Sequence, residues 1–192
     1  MVSRDALRKA LQMEPAQIDP LLEALIGRGD ITETPRGLML TSAGRASLAA
    51  DIAAEREGLD AEKVNAVYER FSVLNARFKP LMADWQLRQV DGVEVLNDHT
   101  DADYDAQLID RLKALDPELQ AVLADIVALA PRLAIYAPRF ALALAGLVAG
   151  DRAMMAAPIK DSYHTLWFEL HEEFIDLCGR TRIQEAVAGR GD

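Results

Sequence analysis

A ten-residue stretch, Ile31-Thr32-Glu33-Thr34-Pro35-Arg36-Gly37-Leu38-Met39-Leu40, constrains this chain more than any other. It reads as two short strands around a Pro/Gly turn, and it lies between helical patterns. Before it, Ser3 is placed to cap a helix whose apolar face is Ala6, Leu7, Ala10 and Leu11. Ile18, Leu21, Leu22, Leu25 and Ile26 then recur at the spacing of a second amphipathic helix, with Gly27 and Gly29 placed to stop it. After the strands, Thr41 caps a third helix that runs to about Glu57. Helix, turn, helix, hairpin, helix is a specific order.

That order is the order of a winged helix-turn-helix. The quoted residues resemble MarR/PadR-type bacterial winged-helix regulators over about residues 3–57, most specifically in Leu40-Thr41-Ser42-Ala43-Gly44-Arg45 after the wing. The resemblance implies a DNA-binding domain over 1–58, with Arg8, Lys9, Gln17, Arg28 and Arg36 as candidate DNA contacts and Arg36 at the wing tip. It also implies a homodimer, because two recognition helices meet two half-sites one DNA turn apart. The chain departs from the pattern in two places. Such domains begin with one more helix than this chain has room for. The outward positions of the second helix, Ala16, Gln17, Asp19, Pro20 and Glu23, include two carboxylates that would repel phosphates.

Residues 59–192 are expected to form an all-α helical bundle, so the fold class is mainly α with one small β-hairpin. This part also looks like the helical domain appended to winged helices in some uncharacterised bacterial proteins. Asp60 caps a helix carrying Val64, Val67, Tyr68, Phe71, Leu74 and Phe78, expected to end near Pro80. A polar loop is expected from Gln89 to Asp103. Further helices fit Tyr104–Leu115, Pro117–Ala130, Arg139–Ala149 and Ser162–Cys178, with a short tail helix at the end.

Charge separates the two parts only weakly. Residues 1–58 hold seven basic and nine acidic side chains, whereas residues 59–192 carry most of the net −10. An acidic chain of this kind does not bind nucleic acid or anionic membrane over its whole surface. The longest run without charge or proline, Phe140–Gly150, is half of a bilayer span. Met1–Asp5 lead into a charged helix rather than an apolar leader, and the lone Cys178 fits a reducing cytoplasm.

All three histidines lie in the second part. On the helix Ser162–Cys178, His164 and His171 flank an apolar centre of Tyr163, Leu166, Trp167, Leu170, Phe174 and Leu177. They are core histidines with a protein partner, or they line a small-molecule pocket, or they hold a metal. The pocket reading adds Trp85, Arg132, Arg139 and His99, the last with Asp98 or Asp101. Arg132 and Arg139, seven apart in apolar sequence, need a carboxylate or an anionic ligand if they are buried. No catalytic, phosphate-cradling or metal motif occurs, so no catalytic residue, metal or cofactor is expected and the chain is not read as an enzyme.

These observations favour a cytoplasmic transcription regulator in which the winged helix reads DNA and the bundle dimerises and senses a small effector. Two other classes stay open. One is an interaction protein whose winged helix has lost DNA binding and serves for docking. The other is a ligand-binding or enzymatic bundle around His164, His171 and Trp85.

Overall fold

The computed structural model describes residues 1–187, in two compact units that divide between Gly58 and Leu59. The first unit holds α1 (Arg4–Leu11), α2 (Pro15–Gly27), β1 (Ile31–Thr34), β2 (Gly37–Leu40) and α3 (Ser42–Glu57). It is a winged-helix-like arrangement of a helix pair and a small antiparallel hairpin, with Ile31 opposite Leu40 and Thr34 opposite Gly37. Val2 adds a bridge to β2 through two backbone hydrogen bonds with Leu38, of 3.1 and 2.8 Å. Val2 thus takes a third strand position beside β2. Gly37 has φ +123°, and a Cβ there would come within 2.7 Å of the Val2 carbonyl, so this bridge needs glycine.

The Leu40–Arg45 signature has a physical basis. Thr41 Oγ1 accepts from Gly44 N at 3.0 Å, capping α3, and donates to the Gly29 carbonyl at 2.7 Å. A Cβ on Gly44 would lie 1.9 Å from the Asp30 carbonyl oxygen, so α3 crosses the β1 entrance in backbone contact. Asp30, itself buried, accepts from Ser47 Oγ at 2.9 Å and from Arg28 Nε at 2.8 Å. Ile18, Leu22 and Leu38 form the small core, with Val2, Leu7, Met13, Ile26 and Ile31 packed around them.

The second unit is a helical bundle of α4 (Ala61–Gln86), α5 (Ala102–Leu129), α6 (Tyr136–Val148), α7 (Ala153–Ala156), α8 (Tyr163–Leu177) and α9 (Arg182–Val187). A 3-10 turn, Pro131–Ile135, joins α5 to α6. Three expectations are corrected. The helix from Ala61 does not end at Pro80, because Leu81, Met82 and Trp85 continue its buried face to Gln86. Pro117 does not divide α5, whose stripe Leu108, Leu112, Leu115, Leu119, Val122 and Ile126 runs through it. In both helices, burial on either side of the proline outweighs one lost backbone hydrogen bond.

The third correction concerns the polar loop. The segment after α4 is a hairpin of β3 (Leu87–Val90) and β4 (Val93–Leu96). Its turn residues Asp91 and Gly92 have φ +52° and +80°, the left-handed pair of a tight hairpin. The bundle is therefore not purely helical.

The bundle core is aromatic. Trp167 lies 4.0 Å from Phe78 and 5.1 Å from Phe71, centre to centre, and Phe174 lies 4.8 Å from Phe71. Two of its largest buried side chains have their polar atoms paired: Trp167 Nε1 donates to Asn75 Oδ1 at 2.8 Å, and Tyr163 Oη donates to Asp116 at 2.8 Å. Burial, then the Asp116 carboxylate, pushes the Tyr163 hydroxyl far above its ordinary pKa. The 18-residue stretch Pro131–Val148 has a mean hydropathy of 1.2 and is one-third buried, with Phe140, Ala143 and Leu147 in the bundle core.

Candidate functional site

Two surfaces carry candidate chemistry, the winged helix and the polar groups of the bundle. On the winged helix, α2 begins at Pro15 with Glu14 before it in a reciprocal capping box. Gln17 completes that box, its Oε1 accepting from Glu14 N at 2.9 Å. The side chain expected to face DNA is therefore engaged in holding the start of its own helix. Pro20 sits inside a continuous α2, so Asp19 is an interior residue rather than a second cap.

Asp19 and Glu23 instead collect the arginines of α1. Arg8 Nη2 donates to both oxygens of Asp19, at 2.8 and 3.0 Å, and Arg8 Nη1 donates to Asp5 at 2.8 Å. Arg4 donates to Glu33 at 2.7 and 2.8 Å and to Glu23 at 2.9 Å. These bonds raise both arginines above their ordinary pKa, through Glu33 first for Arg4 and Asp19 first for Arg8. In return, Arg4 holds the Glu33 carboxyl below the usual range. Arg28 is spent on Asp30. Lys9, Arg36 and Arg45 remain exposed with no carboxylate partner among the described residues, Arg36 in the turn between β1 and β2. Sequence reasoning named the cations but could not see that neighbouring carboxylates hold them.

In the bundle, one pair of the expected ligand residues comes together. Trp85 and His99 rings are 4.4 Å apart. The carboxylate that serves His99 is neither Asp98 nor Asp101. Asp98 accepts from Thr100 in its own turn, and Asp101 caps α5. The partner is buried Asp105, whose oxygens lie 3.0 and 3.2 Å from His99 Nδ1. A carboxylate accepts, so Nδ1 carries the hydrogen. Asn97 Nδ2 and Arg152 Nε, each at 3.2 Å, complete the Asp105 shell. His99 has φ +58°, a left-handed conformation that the knot holds in place. Asp105 and Arg152 were not anticipated: Asp105 is six residues from His99 but inside α5, and Arg152 comes from a distant segment.

The other expected ligand residues are dispersed. His164 lines a groove of about 250 Å³ with Phe78, Lys79, Met82, Gln86 and Trp167. His171 borders a different cavity of about 230 Å³ with Glu172, Ile175, Arg182 and Glu185. Arg132 pairs with Glu173 at 2.6 Å. Buried Arg139 bonds Asp161 at 2.9 and 3.0 Å and Glu169 at 2.9 Å. Burial alone would lower the Arg139 pKa, but these carboxylates outweigh it and hold the guanidinium charged. Both arginines thus have carboxylate partners within the chain. Among the described residues, no three His, Cys, Asp or Glu side chains gather as a metal site.

No family model, no curated protein and no solved structure matches this chain.

Proposed function

We propose that this chain is a regulatory interaction protein whose winged helix docks on a protein partner. The observation that carries the reading is the fate of the α1 arginines: Arg4 and Arg8 are neutralised by Asp5, Asp19, Glu23 and Glu33. Phosphate binding draws its affinity from cations free to displace counterions. Here the helix that would enter the groove presents carboxylates that already hold the nearest guanidinium groups. The same unit exposes large apolar side chains, Leu21 at 53% and Leu48 at 47%, with Met39 and Leu40 on β2. Exposed apolar residues beside paired charges have the composition of a protein contact surface.

DNA reading keeps one specific observation in its favour: Arg36 in the wing turn has no carboxylate partner among the described residues. The two readings separate in a titration with duplex DNA at low ionic strength. Docking predicts no salt-dependent binding. A DNA reader would bind, and Arg36→Ala would lower its salt slope by roughly one.

A further inference from the structure

The tail helix α9 is attached to the bundle the wrong way round for an amphipathic segment. Its apolar residues Ile183 and Val187 are 77% and 86% exposed, whereas the carboxylic acid Glu185 is 1% exposed. Burying a carboxylate is costly unless donors meet it. They do. Tyr68 of α4 donates its hydroxyl to Glu185 Oε2, and Arg180 Nη1 donates to Oε1 at 3.3 Å. With its hydrogen given to Glu185, the Tyr68 oxygen is an acceptor, and His171 Nε2 lies 3.3 Å from it.

These donors are held in place from behind. The Arg180 guanidinium lies 4.6 Å over the Tyr68 ring and gives Nη2 to Asn65 Oδ1 at 2.8 Å. Tyr68 and His171 are buried, and His171 packs 5.4 Å from Phe71. The receptor therefore comes from α4, α8 and the turn after α8, while the occupant comes from α9. The other described attachment of α9 is also polar: Arg182 reaches Glu172 at 2.9 Å and lies over Phe168 at 4.4 Å. The cavity of about 230 Å³ beside Glu185 leaves room next to the occupied position.

The geometry points to a carboxylate-binding site made by Tyr68, His171 and Arg180, with Glu185 as its built-in, displaceable occupant. The ligand class is a carboxylate, free as a small organic acid or borne by an acidic side chain of another protein. Arg180 supplies charge, Tyr68 supplies a directed hydroxyl donor, and His171 fixes the phenol. A ligand that takes the site releases α9.

The test is chemical rescue in the full chain. Glu185→Ala removes the carboxylate that accepts from Tyr68 and Arg180, and the melting temperature falls by about 5 °C. Acetate or formate then restores the loss, whereas chloride at equal ionic strength does not. The rescue disappears when Tyr68→Phe is added. A short peptide copying Arg182–Val187, compared with its Glu185→Gln version, distinguishes a protein-borne carboxylate from a free acid. If Glu185→Ala does not fold, Glu185→Gln keeps the side-chain shape and takes its place, with acetate, by taking the site and releasing α9, speeding tryptic cleavage of the tail. Acetate acting no differently from chloride in whichever variant folds, or rescue that survives Tyr68→Phe, overturns the proposal.

Discussion

In the winged helix, Ile18, Leu22 and Leu38 form the whole buried apolar cluster, whereas the bundle buries an aromatic stack of Phe71, Phe78, Trp167 and Phe174 among many leucines. The winged helix compensates with backbone fit and charge. Gly44 lies against the Asp30 carbonyl, Thr41 ties the helix cap to Gly29, and Arg4 and Arg8 join α1 to α2 and β1. The bundle also joins its helices by exposed ion pairs such as Arg77–Glu118, and it satisfies buried polar atoms, as Asn75 does for Trp167. The contrast has a functional consequence. This small unit commits Arg4, Arg8 and Arg28 to holding itself together, and on the docking proposal those cations do not serve a phosphate backbone.

Substitutions should break the two units by different routes. The largest effect is expected in the bundle. Trp167→Ala empties the space between Phe71 and Phe78 and removes the indole donor from Asn75 Oδ1, costing about 3–5 kcal/mol in denaturant unfolding. A cost below roughly 1 kcal/mol would show that the aromatic stack does not carry the bundle. Next comes Gly44→Ala in the winged helix. A methyl group 1.9 Å from a carbonyl oxygen forces α3 off β1, at about 1–3 kcal/mol. Against so small a core, that loss should appear as early exchange of the Val2 and Leu38 amide hydrogens.

The smallest effect is electrostatic. Arg4 depresses the Glu33 pKa in the folded state, so the pair contributes stability above the ordinary carboxyl value of about 4.5. That contribution is lost as pH falls through the folded Glu33 value. Glu33→Gln should therefore flatten the acid limb of the winged-helix stability curve and change little near neutrality. An unchanged acid limb would mean that the pair, which is exposed, adds nothing measurable.

How far the sequence could be read follows the same division. The α8 face was fully legible, because Ser162 caps it and its apolar residues keep helical spacing. The wing was legible from Pro35 and Gly37. The second hairpin also had a local signal, since Val90-Asp91-Gly92-Val93 is an Asp-Gly turn between β-branched residues. The surrounding charges masked it as a loop. Pro80 and Pro117 misled for the opposite reason: local propensity argued for a break, and tertiary burial overrode it. The need of Arg132 and Arg139 for a carboxylate was legible, but the identity of the long-range partners was not. The carboxylates serving Arg4, Arg132 and Arg139 lie 15 to 41 residues away from them, and no periodicity joins such positions.

The central claim is that this winged helix docks on protein because its own carboxylates occupy the arginines that DNA would need. It is tested most directly by the anisotropy of labelled duplex DNA, titrated with the wild-type chain and with an Asp19→Asn/Glu23→Gln variant over roughly 50 to 200 mM salt. The account predicts no salt-dependent binding by the wild type and measurable low-salt binding by the variant, whose Arg4 and Arg8 lose carboxylate partners. Tight wild-type binding that weakens steeply with salt, and that the variant does not improve, would contradict it.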